Sequence, residues 1–142
     1  MKERQQCATC RVLRVTVVTI FVLTMSACKY AGNNLYEVAS RGVSREAAVR
    51  LIEQGAKVNE VNPVHGWTPL HVASSKGHPK MVIALIDNGA HINAQDHEGN
   101  TPLHLASGGG HDKTVRALLS QGADASLKNK RGETAKDRRT VD

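Results

Sequence analysis

The chain has 142 residues, enough for one domain of ordinary size. One Trp, two Tyr and one Phe leave a core to be assembled from Leu, Ile, Val and Ala, which suits thin stacked helices and disfavours a sandwich or a large α/β core. Half of the formal charge of +6 comes from Lys2, Arg4, Arg11 and Arg14 against Glu3, and no Lys/Arg stripe is interleaved with aromatics, which excludes a nucleic-acid partner on these grounds.

Cys7, Cys10 and Cys28 are the three cysteines, so residues 29–142 hold no disulfide and must be stabilised by packing. Cys7-Ala8-Thr9-Cys10 has the C-x-x-C form but lacks a second ligand pair and a βαβ setting, so no metal or redox role is assigned to it. Residues 1–14 are polar and basic, and the stretch from Val15 to Ala27 is uncharged. It is too short for a spanning helix of about 20 residues and fits the h-region of a signal peptide. The ending Met25-Ser26-Ala27-Cys28 resembles the bacterial lipobox, with Met25 where Leu is usual. The resemblance implies that residues 1–27 are cleaved and that Cys28 carries a diacylglyceryl group. Palmitate is then the label to look for, and a short tether, 28–32, follows. Two or more acyl chains anchor stably, and the four residues from Lys29 to Gly32 reach at most about 14 Å, which holds the domain close to the membrane. By the same resemblance the site is the cell envelope, facing the periplasm, with Lys29 favouring the outer membrane over the inner.

Leu35-Tyr36-Glu37-Val38-Ala39 predicts a first short helix, and Ala48, Leu51 and Ile52 the apolar face of a second. Gly42 and Gly55 are one residue farther apart than the matching pair Gly77 and Gly89, which places an insertion in the turn after Gly42. Next comes Gly66-Trp67-Thr68-Pro69-Leu70-His71-Val72-Ala73-Ser74, which returns 33 residues later as Gly99-Asn100-Thr101-Pro102-Leu103-His104-Leu105-Ala106-Ser107. Thr68 and Thr101 are predicted N-caps, and Pro69 and Pro102 occupy the first helical position, where a missing N–H costs nothing. Val82, Leu85 and Ile86, repeated as Val115, Leu118 and Leu119, make one apolar face of a second helix. Gly89 and Gly122 suit the left-handed residue that ends it. Gly132-Glu133-Thr134-Ala135 opens another copy that soon runs out.

A 33-residue period carrying Thr-Pro-Leu-His is the signature of ankyrin repeats, and residues 33–142 resemble that family. The resemblance implies an all-α solenoid of helix–turn–helix repeats with hairpin-like loops. Two complete repeats, 62–94 and 95–127, lie between an N-terminal cap at 33–61 and a truncated C-terminal cap at 128–142, whose tail is expected to fray. About three stacked repeats are the usual minimum, so modest stability is expected.

No residue is assigned to catalysis or to a metal. Of the seven histidines, the family resemblance gives His71, His104, His78 and His111 local bonds that brace the turn and helix start, and neither these nor the remaining His65, His91 and His97 form a His-x-x-x-His or Cys-His pairing of the kind that holds zinc. Ser74, Ser75 and Ser107 lack a nucleophile-elbow motif. Gly108-Gly109-Gly110 lacks the Lys and Ser/Thr of a phosphate loop; its extra glycines are expected to shorten and loosen the helix they end. No cofactor is implied. The protein-binding positions implied by the family are the loop tips and the exposed ends of the first helices: His65, Trp67, Ser74, Ser75, Lys76, Asp96, His97, Glu98, Asn100 and Ser107. Trp67 replaces the Asn100 of the next repeat and is the expected anchor, since Trp is enriched in interface hot spots. Lys128, Lys130, Arg131, Lys136, Arg138 and Arg139 form a basic end that is usually only a solvated face, although close to a membrane it can also meet anionic headgroups.

The function read from the sequence is an envelope-anchored, monomeric module that binds another protein as a scaffold, inhibitor or immunity-type protein. The alternative is a cytoplasmic or secreted ankyrin effector without a lipid anchor; an enzyme ranks below both. Mass spectrometry of the mature chain is expected to find Cys28 at the N-terminus bearing lipid, with palmitate incorporation lost in Cys28→Ser. An intact Met1 or an unmodified Cys28 contradicts the anchor.

Overall fold

The computed structural model describes residues 35–42 and 44–139. The expected signal peptide, Cys7, Cys10, Cys28, the tether, the inserted Val43 and the tail at 140–142 lie outside the described residues. Six helices follow in order: α1 Leu35–Arg41, α2 Arg45–Glu53, α3 Pro69–Ser75, α4 Pro79–Asp87, α5 Pro102–Gly108 and α6 Asp112–Ser120. They form an all-α repeat solenoid. The first helices α1, α3 and α5 pack in one row and the second helices α2, α4 and α6 in another, with each pair also packed together. The N-terminal unit, expected as a cap, carries both of its helices.

Helices of seven to nine residues do not persist alone in water, so packing must supply what propensity does not. Leu70, Leu85, Leu118, Met81 and Val82 are almost wholly buried, with Ala39, Ala48, Ala73 and Ala106 between them at close helix contacts. Small residues there let adjacent helices approach, while the aliphatic side chains fill the layers between. Ile86 is half-buried, whereas its copy Leu119 is 44% exposed. Among the described residues no further second helix follows to cover Leu119. Val72 and Leu105, expected as inner contacts, are half-buried as well.

The second helices end alike. Ala90 N–H bonds Leu85 C=O at 3.0 Å and Gly89 N–H bonds Ile86 C=O at 2.9 Å, the paired bonds of a Schellman cap. The same pair recurs as Ala56 to Leu51 with Gly55 to Ile52, and as Ala123 to Leu118 with Gly122 to Leu119. The expected shortening of α5 by its glycines does not occur: α5 spans seven residues, as α3 does. Gly108 ends α5 while Gly109 and Gly110 serve as cap and turn, so the extra glycines fall where the helix ends anyway. At the C-terminal end, Thr134 N–H and Oγ1 both bond Asp137 Oδ2, at 2.8 and 2.7 Å. That holds a single turn over residues 135–138 in place of a helix. Those two bonds keep the Asp137 carboxylate below its ordinary pKa.

Two glycines separate strain from space. Gly77 and Gly89 both have left-handed backbones, φ 72° and 88°. A Cβ on Gly89 meets nothing within 4 Å, whereas one on Gly77 falls 2.6 Å from His111 Nδ1. Gly89→Ala is expected to cost about 1–2 kcal/mol from backbone strain alone. Gly77→Ala should cost about 1–3 kcal/mol more, because it also displaces a packed ring. Urea unfolding of the two variants checks the ranking, and equal midpoints contradict it.

Candidate binding face

The first helices α3 and α5 begin with a polar lock. Thr68 Oγ1 accepts His71 N–H at 3.4 Å, and Thr68 N–H donates to His71 Nδ1 at 3.1 Å. That bond makes Nδ1 an acceptor, so the proton sits on Nε2, which donates to Asn100 C=O in the next unit at 3.1 Å. His104 repeats this, taking Thr101 N–H on Nδ1 at 3.2 Å and donating from Nε2 to Glu133 C=O at 3.0 Å. In the first unit the phenol of Tyr36 does the same work, sharing its O–H between Trp67 C=O at 3.0 Å and Glu60 C=O. Trp67, Asn100 and Glu133 are repeat equivalents, so one carbonyl position is held three times, once by a phenol and twice by an imidazole.

The local bonds that the family resemblance implied for His78 and His111 are not what their Nε2 atoms make; these reach back one unit. His78 Nε2 donates to Ser40 C=O and His111 Nε2 to Ser75 C=O, both at 3.0 Å. Their rings lie over Gly42 and Gly77, where a Cβ would intrude. On the opposite side of the loops, Asn59 bonds both Gly89 C=O and His91 N–H, and Asn93 Oδ1 accepts Asp124 N–H.

These cross-links set the loop tips in a row. His97 N–H bonds His65 C=O at 3.2 Å, and Lys130 N–H bonds Glu98 C=O at 2.9 Å, tying tip to tip. Asp96 shapes the second tip, its Oδ1 accepting Glu98 N–H and Asn100 N–H at 2.8 Å each. Asn129 does the same in the third, accepting Arg131 N–H and Glu133 N–H. A side-chain chain then crosses all three loops. Trp67 Nε1 donates to Asp96 Oδ2 at 3.1 Å, Asn100 Nδ2 donates to the same oxygen at 3.2 Å, and Asn100 Oδ1 accepts Asn129 Nδ2 and Arg138 Nη1.

The structure divides the positions named from the sequence. His65, Lys76, His97 and Glu98 are exposed, and Ser75 and Trp67 are half-buried. Ser74, Asp96, Asn100 and Ser107 are buried. Asp96 and Asn100 are occupied in holding the tips, and Ser74 is enclosed with its hydroxyl unbonded among the described residues. Trp67 folds partly over the neighbouring loop: its N–H is committed to Asp96, and His65 packs against its ring at a centroid distance of 5.8 Å.

The family's loop-tip positions map to 62–65 and so include Val64 without naming it as an anchor, while Val61 lies outside them; the two are 71% and 53% exposed on the first tip. The signal was available, because the stretch from Asn59 to Gly66 has one residue more than its copy from Asn93 to Gly99. Behind this longer tip lies an open groove of about 530 Å³, lined by Tyr36, Glu37, Ser40, Val61, Pro63 and Val72 among others. Burial and the nearby Glu60 charge push the Tyr36 hydroxyl up to about 12. Among the described residues no group of three or more His, Cys, Asp or Glu side chains converges on a point.

The sequence model described as Ankyrin repeats (3 copies) matches residues 35–129. With the stacked helix pairs and capped repeats above, the chain belongs to the ankyrin-repeat family. It is similar to Ankyrin repeat and SOCS box protein 6 of Mus musculus, 41% identical over 70 residues that make up 48% of this chain and 16% of that protein. Ankyrin repeat domain-containing protein 40 of Mus musculus is 43% identical over 56 residues, 39% of this chain and 15% of that protein. Glycerophosphocholine phosphodiesterase GDE1 of Eremothecium gossypii is 38% identical over 54 residues, 38% of this chain but 4% of that protein. The chain thus spans a small part of the length of the curated relatives it matches, 16% at the first of them.

Burial holds the His71 imidazole below its ordinary 6.5, against the raising pull of the Asn100 carbonyl and the Asp96 charge. An imidazolium also has no lone pair for Thr68 N–H. The folded state therefore takes up this proton less readily than the unfolded chain. The His71 contribution is complete above about pH 6.5 and is lost as pH falls from there toward the folded value. The thermal midpoint is expected to drop between pH 7.5 and 5, and to drop less steeply in His71→Gln, which starts from a lower midpoint. Parallel pH profiles for the two proteins contradict this role.

Proposed function

We propose that this chain is a binding module for another protein, held at the bacterial envelope by lipid on Cys28 and acting there as a scaffold, inhibitor or immunity-type protein. The observation that carries the binding part is the row of three loop tips, bonded to one another through their backbones while His65, His97 and Glu98 stay exposed along it. A surface ordered in advance loses little freedom on association, and this is where binding free energy is gained. Membership of the ankyrin-repeat family supports the same reading. The envelope part rests on the lipobox-like Met25-Ser26-Ala27-Cys28 and the uncharged stretch before it.

The test is recovery of one protein from envelope extracts with the full chain in mild detergent, followed by titration of that protein in purified form. The variant His65→Ala/Lys76→Ala/His97→Ala alters exposed side chains only and should keep the helical circular-dichroism signal. It is expected to weaken binding at least about tenfold, which corresponds to about 1.4 kcal/mol. Undiminished binding by this variant contradicts use of the face.

A further inference from the structure

The three tips differ in chemistry. The first is apolar, with Val61, Pro63 and Val64 exposed, and Val61 and Pro63 also line the open groove. The second presents the carboxylate of Glu98, and the third the cations of Lys130 and Arg131, all exposed. Glu98 and Arg131 touch only at 3.9 Å, with both side chains 68% exposed, and Glu98 Oε2 also accepts Asn100 Nδ2 at a long 3.4 Å, so the pair is worth little and both charges stay open to solvent. The backbone bonds from His65 to His97 and from Glu98 to Lys130 keep the tips in this order.

We infer that the ridge reads an extended protein segment whose side chains run apolar, basic, acidic from the first tip to the third. This rests on the protein-binding reading and specifies the partner chemistry of that face. Helices in contact lie about 8–10 Å apart, and the tips they carry share that spacing. An extended chain advances about 3.3 Å per residue, so successive contacts fall about three residues apart. The segment is therefore of the form apolar-x-x-basic-x-x-acidic, in either chain direction. Its apolar residue packs on the exposed Val61, Pro63 and Val64 of the first tip. Its basic residue meets Glu98, and its acidic residue meets Lys130 and Arg131. A second copy of this chain does not fit the ridge. Two-fold pairing would set Glu98 against Glu98 and the apolar tip against Lys130 and Arg131.

Selection of a random peptide display library on the full chain in detergent micelles reads the preference directly. Peptides with the stated order and spacing are expected to be enriched, and the best of them should bind Val64→Asp at least tenfold more weakly. The charge exchange Glu98→Lys/Lys130→Glu/Arg131→Glu reverses the sense of the second and third tips, and should exchange the basic and acidic positions of the selected peptides. Absence of enrichment, an order unrelated to the tips, or the same peptides selected by the exchanged variant each overturns the inference. Self-association that Val64→Asp abolishes does so too, because a second copy then covers the face. Protein binding measured separately in extracts stands or falls on its own result.

Discussion

One carbonyl position per repeat governs this structure. The carbonyls of Trp67 and Asn100 emerge where a loop turns into a first helix, that of Glu133 where it enters the single turn standing in a helix's place, and each is bonded by a side chain from the unit before. In two cases that side chain is a histidine whose other nitrogen closes the cap of its own helix. One ring thus ends a helix and joins two repeats at once. Buried polar groups left unpaired are costly, so loss of the ring affects both sides of the junction. The helices are too short to survive such a loss independently.

The rest of the stack repeats this logic in other places. His78 and His111 reach backward to Ser40 and Ser75, Asn59 and Asn93 clamp the far ends of the loops, and the Trp67–Asp96–Asn100–Arg138 chain runs across the tips. The aliphatic layers supply the attraction between units, and the polar cross-links fix their register. The face left outside is consequently set by backbone bonds between tips, while the side chains that point outward from it make only peripheral contacts, His65 against the Trp67 ring and Glu98 with Arg131 and Asn100.

Much of this was legible in the amino-acid sequence because the repeat states each role more than once. Thr68-Pro69 and Thr101-Pro102 announce the helix starts, and Gly89 and Gly122 the ends, at a fixed spacing. What was not legible is the direction in which a polar side chain turns. Asp96 and Asn100 stand in loops, where polar residues are usually exposed, yet here they fold inward to bond neighbouring amides. Ser74 and Ser107 stand one residue before the ends of short helices but are buried in the packed layers. Tyr36 was obscured for a different reason: it sits one place earlier than His71 does in its helix, so alignment by residue type does not pair the two. The longer first tip was visible as a single extra residue, but its consequence, valines projecting into solvent, depends on the loop closing through Asn62 N–H to Trp67 C=O.

The substitution of a phenol for an imidazole at the first junction makes the two ends of the stack chemically unequal. A tyrosine hydroxyl keeps its proton throughout the acid range, so acid leaves the Tyr36 link intact, whereas protonation of His71 removes the acceptor it offers Thr68. Acid therefore reaches a bond at the start of α3 that it does not reach at the Tyr36 junction.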